Sequence, residues 1–118
     1  MQTTREQITP YITRDGSEIR ELMHPEVQGN RNQSLAEATI RPGCVTRLHK
    51  HLRSEELYHV LSGSGRMTLG ERVFRVAAGD TICIAPAVAH RIENTENRDL
   101  VILCCCAPPY SHADTELL

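Results

Sequence analysis

The sequence of 118 residues has no tryptophan, one phenylalanine and three tyrosines, so aliphatic and sulfur side chains must supply most of its core. It has no continuous apolar run of the roughly 18–20 residues that cross a membrane, and its N-terminus lacks the apolar segment of a signal peptide. Its net charge of −2 excludes the strongly basic surface through which proteins bind nucleic acid. We therefore expect one soluble, cytoplasmic domain over residues 1–118 that binds neither nucleic acid nor membrane.

The five cysteines do not have the spacing of a disulfide-linked secreted domain. Three of them, Cys104, Cys105 and Cys106, are consecutive. On a strand, Cys104 and Cys106 would face one side and Cys105 the other. We interpret them as small buried side chains in a reducing compartment. A redox role or a thiolate–metal role is the alternative.

Short strand-like segments alternate with turn signals along the chain, a pattern typical of an all-β barrel or sandwich. We predict strands at residues 11–13, 18–23, 35–40, 45–51, 56–61, 66–69, 72–76, 81–84, 90–93 and 99–106. The gap between the second and third of these strands, residues 24–34, is predicted to be a loop. Gly70-Glu71 predicts a two-residue hairpin turn, because such a turn accepts glycine in its first position.

Three segments make up the predicted domain. Residues 1–23 form an N-terminal arm with edge strands, residues 35–106 form the barrel core, and residues 107–118 form a C-terminal tail. The tail either folds over a barrel mouth, where Tyr110 or His112 reaches the site, or is disordered. An open sheet edge is usually covered or paired in proteins. We therefore expect a homodimer with residues 11–23 at or near its interface.

A histidine pair carries the clearest chemical signal in the sequence. His49 and His51 are two residues apart, so on a strand both side chains project from the same face. If the four residues after His51 form a hairpin loop, the returning strand places Glu56 opposite His51. These groups would then converge like metal ligands, and His90 offers a fourth. A register slip of one residue would replace Glu56 by Glu55.

The same predicted hairpin places Tyr58 opposite His49 and Arg47 opposite Val60. Tyr58 is then a candidate catalytic residue that donates a hydrogen bond or a proton to a bound oxyanion, or else it is a core aromatic. Arg47 is a second candidate, because a guanidinium can pair with a substrate carboxylate or phosphate. The alternative for Arg47 is a rim position in solvent. His59 lies on the opposite face and is interpreted as a packed or interface histidine.

These residues match the two motifs of the cupin superfamily, which the chain therefore resembles. The first motif, G-x5-H-x-H-x(3,4)-E-x6-G, is complete, with Gly43, His49, His51, Glu56 and Gly63. The second motif, G-x5-P-x-G-x2-H-x3-N, matches at Gly79, His90 and Asn94. It departs at Ala85 and Ala87, which replace the usual proline and glycine of the loop before the histidine.

The resemblance implies a jelly-roll β-barrel with one divalent transition metal per chain, bound by His49, His51, Glu56 and His90. Imidazole and carboxylate ligands suit Fe, Mn, Ni, Co, Zn or Cu, and an octahedral ion would keep two positions open. We predict a metal-binding cupin that acts on a small oxygen-rich molecule, such as a carboxylic acid, a sugar or a diol. The metal would serve as a Lewis acid or as an oxygen-activating centre.

Fold likeness does not decide the reaction, so alternatives stay open. The stretch HKHLRSEELYHVLSG is similar to the cupin domain of type II mannose-6-phosphate isomerases, which implies a metal-dependent sugar-phosphate isomerase. Other enzyme classes that the resemblance allows are oxygenases and lyases. A protein that binds a sugar or another small molecule without catalysis is the alternative of a different class.

Overall fold

The computed structural model describes residues 1–118 and is almost entirely β-structure, as the sequence predicts. One short helix, α1 (Pro25–Gln28), and two 3₁₀ turns (Arg5–Gln7 and His112–Asp114) accompany the strands. The strands are β1 (Tyr11–Ile12), β2 (Glu18–Met23), β3 (Ser34–Ile40), β4 (His49–His51), β5 (Glu55–Ser62), β6 (Ser64–Leu69), β7 (Arg72–Ala77), β8 (Thr81–Ile84), β9 (His90–Glu93), β10 (Leu100–Ala107) and β11 (Thr115–Leu117). No helix is long and apolar enough to span a membrane.

Two antiparallel sheets face each other across the core. The six-stranded sheet has the order β1-β2-β3-β10-β5-β8, and the five-stranded sheet has the order β11-β4-β9-β6-β7. Alternate side chains of both sheets point inward, and the resulting core is aliphatic apart from Tyr58, as the scarcity of aromatic residues predicts. Met67, Leu100 and Val60 are among its most deeply buried members. The architecture is that of a jelly-roll barrel.

The predicted hairpin between β4 and β5 is wrong. β4 pairs with β9 and β11 in the five-stranded sheet, whereas β5 pairs with β10 and β8 in the other sheet. The residues between them therefore cross from one sheet to the other instead of forming a hairpin turn. Tyr58 lies opposite Cys104 and Ile82, not opposite His49. The period of two along each strand still assigns the inward-facing residues correctly, because it does not depend on the pairing partner.

The predicted loop at residues 24–34 contains α1. His24 precedes the helix, and its Nδ1 accepts a hydrogen bond from the amide of Glu26 at 3.1 Å. Pro25 occupies the first turn, where its missing N–H costs nothing. Gly29 ends the helix in the left-handed conformation, with φ of 87°. Cap, proline and glycine together form a helix signal that hydrophobic periodicity misses, because one turn is too short to show a period.

Both terminal segments add strands to the sheets. β1 and β2 extend the six-stranded sheet beyond β3, and β11 forms the outer edge of the five-stranded sheet beside β4. The C-terminal segment is therefore ordered, which corrects the alternative of a disordered tail. β1 is only two residues long, and Ile12 in it is exposed. The homodimer through this arm stays a prediction.

The loop before His90 follows a turn that its sequence does not favour. Pro86 and Ala87 are its central residues, and the amide of Val88 bonds back to the carbonyl of Ala85 at 3.3 Å. Ala87 has φ of 66°, the only non-glycine residue with a positive φ. Proline followed by a residue of positive φ is the arrangement of a type II turn, which favours glycine at the second of these positions. Ala87 replaces the motif glycine here and still adopts its conformation.

We predict that Ala87→Gly stabilises the protein. The left-handed conformation costs a residue with a Cβ roughly 1–2 kcal/mol, and glycine returns roughly 0.4–1 kcal/mol of that through the freer unfolded chain. The free energy of unfolding, measured by urea denaturation, should therefore rise by about 0.5–1 kcal/mol. Ala85→Gly, two residues earlier at an ordinary φ, is the matched control and should lower it. Destabilisation by both changes would contradict the assignment.

Candidate metal centre

His49 and His90 lie directly opposite each other on β4 and β9. The Nδ1 of His49 is 2.7 Å from the carbonyl oxygen of Arg47, and the Nδ1 of His90 is 2.9 Å from that of Val88. A carbonyl oxygen can only accept, so each Nδ1 carries the hydrogen and each Nε2 keeps its lone pair. The ring centroids are 4.3 Å apart, and both side chains are buried. The backbone thus fixes both imidazoles in the tautomer that can bind a metal through Nε2.

The same tautomer is fixed at His51 by the C-terminal strand. Thr115, opposite His51 in the β11–β4 pair, has its Oγ1 3.0 Å from the Nδ1 of His51. The single hydroxyl hydrogen of Thr115 is donated to the carbonyl of Ser111 at 2.8 Å. The hydroxyl oxygen must therefore accept from His51, whose Nε2 then keeps its lone pair. The histidine motif gives no indication that a threonine near the C-terminus accepts this hydrogen bond.

Glu56 reaches two of the three imidazoles from the opposite sheet. Its Oε1 is 3.1 Å from the Nε2 of His51 and 3.4 Å from the Nε2 of His90. One ring nitrogen from each of the three histidines lies within 4.8 Å of the others. Glu55 is exposed, so the inward carboxylate is that of Glu56, as the alternation along the strand predicts.

Electrostatics in this cluster favour ligands that are already deprotonated. Burial, followed by the neighbouring His90, lowers the pKa of His49, so its imidazole is neutral at pH 7. Burial alone would raise the pKa of Glu56, but the adjacent imidazoles of His51 and His90 outweigh it and lower that pKa to about 2, so the carboxylate is ionised at pH 7. A neutral imidazole and an ionised carboxylate are the forms that coordinate a metal.

Cys106 supports Glu56 on the side away from the histidines. Its Sγ is 3.3 Å from Oε2 of Glu56. Burial, and then the charge of Glu56, raises the pKa of the Cys106 thiol, so it remains protonated and donates to the carboxylate. Cys104 also lines the interior, whereas Cys105 faces the other side of β10, as the alternation predicts. All five cysteines are free.

A cavity of about 50 Å³ with an open mouth adjoins the cluster. Tyr58 lines it, with its ring centroid 6.0 Å from that of His90, and burial followed by the charge of Glu56 raises the pKa of its hydroxyl well above the usual value. Tyr58 is thus a neutral donor in the cavity. Arg47 is not brought there, because its side chain is exposed. This corrects the predicted inward orientation of Arg47, which assumed a strand over residues 45–51, whereas β4 begins at His49.

Asp15 is a cavity residue that the sequence interpretation treated only as part of a turn. It follows β1, and its Oδ2 lies 3.7 Å from the Nε2 of His49. The backbone amide of Arg47 donates to the carbonyl of Asp15 at 2.8 Å, which ties the turn to the chain leading into β4. Tyr110, one of the two tail residues expected at the site, lines the mouth, with its ring centroid 5.8 Å from that of His51. Asp15 precedes His49 by 34 positions, and local sequence patterns do not relate residues that far apart.

The chain that crosses from His51 to Glu56 is held by the C-terminal segment. Asp114, which is buried, accepts hydrogen bonds from the amides of Arg53 at 3.0 Å and Ser54 at 3.1 Å. These bonds outweigh the effect of burial and lower the pKa of Asp114. The crossing therefore has a fixed path, and with it the positions of the ligands at its two ends.

Fold and site together define a small β-barrel with a buried set of nitrogen and oxygen donors at one side of an internal cavity. The model of the family described as the cupin domain matches residues 36–106. The chain belongs to the cupin family, and its three buried histidines lie close enough together to hold a metal ion.

Two relatives and one solved structure illustrate the likeness. The chain is 54% identical over all of its length to the uncharacterized protein MJ1618 of Methanocaldococcus jannaschii, of which it covers 94%. It is 33% identical over 86 residues to the oxalate-binding protein of Thermotoga maritima, covering 73% of this chain and 71% of that protein. A crystal structure of a predicted oxalate decarboxylase from Thermotoga maritima has a TM-score of 0.80 at 28% identity, covering 91% of this chain and 98% of that one.

We predict that Asp114→Ala destabilises the protein by about 2 kcal/mol, because it leaves amide donors of the crossing without their acceptor. Metal affinity should fall as well, since His51 and Glu56 lose their fixed separation. Urea denaturation of the metal-free protein and a metal titration would measure the two effects. Glu116→Ala, an exposed acid two residues further on, is the matched control and should leave both unchanged. Equal stability and equal metal affinity of the two variants would refute this role of Asp114.

Proposed function

We propose that this protein is a metal-binding cupin in which His49, His51, Glu56 and His90 hold one divalent transition metal that binds a small oxygen-rich molecule in the cavity. The observation that supports it most is the Nε2 of His90, a completely buried nitrogen with no hydrogen-bond partner. A buried lone pair left unpaired costs free energy unless something binds it. The Nε2 atoms of the other two histidines point to the same place, where a cation satisfies all of them.

A carboxylate among these nitrogens strengthens the proposal. Three imidazole lone pairs and the Oε1 of Glu56 face one another, and four such acceptors repel each other without a positive charge between them. Three nitrogens and one carboxylate oxygen suit an ion such as Fe, Mn, Ni, Co, Zn or Cu, and in octahedral geometry they leave two positions for ligand. When bound, such an ion supplies Lewis-acid or oxygen-activating chemistry.

A sugar-phosphate isomerase receives less support from the cavity. A phosphate group needs cationic partners, and neither lysine nor arginine lines the cavity wall. Arg47 is exposed, and it was the residue expected to fill this role. We therefore favour a site for ligands without phosphate.

The proposal predicts that His49→Ala or His90→Ala abolishes stoichiometric metal and leaves a folded β-protein. Each change removes one of the nitrogens that point to the ion. Elemental analysis of protein purified without chelator or nickel resin would measure the metal, and circular dichroism would measure the fold. Full metal occupancy in both variants would refute the proposal.

A matched pair of glutamates tests the oxygen ligand. Glu56→Gln should weaken metal binding by at least the roughly 10–100-fold that losing a supporting hydrogen bond costs at such sites. Glu55→Gln, the exposed neighbour, should leave it unchanged.

Tyr58 distinguishes an enzyme from a binding protein. Its neutral hydroxyl inside the cavity can transfer a proton to a bound ligand, so in an enzyme Tyr58→Phe should lower kcat by about 10²–10⁴-fold and change KM little. Steady-state rates of the metal-loaded protein, on any substrate found in a screen of acids, sugars and diols, would measure both. Tyr110→Phe is the control, because that hydroxyl is already within hydrogen-bond distance of Thr13 and His112. Unchanged kcat would leave Tyr58 as a packing residue.

A further inference from the structure

The cavity wall contains carboxylate side chains but no lysine or arginine. Asp15, Glu21 and Glu56 line it, whereas no lysine or arginine does. Arg14, next to Asp15 in sequence, directs its guanidinium to the carbonyl oxygens of His112 and Thr115, at 2.9 and 3.2 Å. The only positive charge available to a ligand is therefore that of the proposed metal ion.

The charge of a divalent ion is already balanced by the protein. Glu56 and Asp15 carry one negative charge each beside the three histidines, and Glu21 adds a third further out on the wall. A dianion would bring two more negative charges into a poorly solvated space with no cation to receive them. Like charges at short distance in such a space repel each other strongly. A neutral ligand avoids this repulsion.

Asp15 presents one free oxygen toward the histidine cluster. Its Oδ1 accepts two hydrogen bonds from Ser17, from the amide at 2.9 Å and from the hydroxyl at 2.6 Å. Its Oδ2 has only the Nε2 of His49 nearby, at 3.7 Å, which is too far for a hydrogen bond. The side chain of Asp15 is 13% exposed, so most of it is buried in the wall. An ionised carboxylate can only accept, and Asp15 therefore favours a ligand that carries a donor next to the metal.

Apart from five serine and threonine residues, the rest of the wall is apolar. Ile19, Ile40, Ile92 and Ile102 line the cavity, and Tyr11 and Tyr110 add aromatic surface. Oxalate has no apolar surface to bury against them. Pockets lined mostly by apolar groups, with a few convergent polar ones, suit ligands whose frame is apolar and whose polar groups are few.

We infer that the cavity accepts a neutral molecule with vicinal hydroxyl groups on an apolar frame, with one oxygen at the metal and one hydroxyl donating to Oδ2 of Asp15, and that it discriminates against dianions. This inference rests on the proposed metal site and narrows its ligand. Asp15 is a positioning and selectivity residue in this arrangement. The preference differs from that expressed in the name of the oxalate-binding relative.

Calorimetric titration of the Zn²⁺-loaded protein with catechol and with oxalate tests the inference, after elemental analysis has verified full metal content. Catechol should bind wild type at least about tenfold more tightly than oxalate. Asp15→Asn should weaken catechol binding by about tenfold, because it replaces a charged acceptor by a neutral one. The same change should tighten oxalate binding, because it removes a repelling charge. Glu71→Gln, the same change of charge in the exposed β6–β7 turn, should affect neither probe.

Opposite shifts for the two probes are the result that supports the inference. Tighter binding of oxalate than of catechol by wild type would overturn it, as would shifts of the same sign or no shift in Asp15→Asn. Loss of metal in Asp15→Asn would also overturn it, since Asp15 would then be a metal ligand. A wild-type protein that takes up no Zn²⁺ would instead refute the proposed function itself, and this inference with it.

Discussion

Three hydrogen bonds that imidazole Nδ1–H groups donate fix the chemistry of this molecule. Two acceptors are carbonyl oxygens two residues before the histidine in each case, those of Arg47 and Val88, and the third is the hydroxyl of Thr115. Because each acceptor determines where the ring hydrogen lies, all three Nε2 lone pairs are free to point inward. Only with that common orientation do the imidazoles, the inward carboxylate with its supporting cysteine, and the cavity form one site.

The two sheets contribute different side chains to the site. The five-stranded sheet provides the three imidazoles, with His49 and His90 adjacent across β4 and β9. The six-stranded sheet provides Glu56, opposite Cys106 in β10, and Tyr58. The site therefore exists only where the sheets face each other, and a metal ion bound there would link them. Asp114 holds the one short crossing between the sheets that carries a ligand at each end.

Local sequence patterns predicted the strands and their inward-facing residues well, but they predicted poorly which strands pair with each other. The bounds of β8 and β9 agree with prediction, and so do the inward orientations of His49, His51, Glu56 and His90, because alternation along a strand is a local property. The β4–β5 hairpin failed because four residues are compatible both with a hairpin loop and with a crossing between sheets. Arg47 was misplaced because β4 begins only at His49, so the alternation along the strand does not extend to residue 47. Asp15 and Thr115 were missed because they reach the site only through pairing between distant segments.

The bond between His51 and Thr115 relates the site to the order in which the chain is made. His51 can take its final tautomer only when a residue 64 positions later has joined the sheet. Asp114, which holds the crossing after His51, comes from the same late segment. During translation, His51 and Glu56 are therefore present long before Thr115 and Asp114, the groups that fix them, whereas the carbonyls that orient His49 and His90 precede those histidines in the chain. The complete set of donors takes its final geometry only after β11 has added to the sheet.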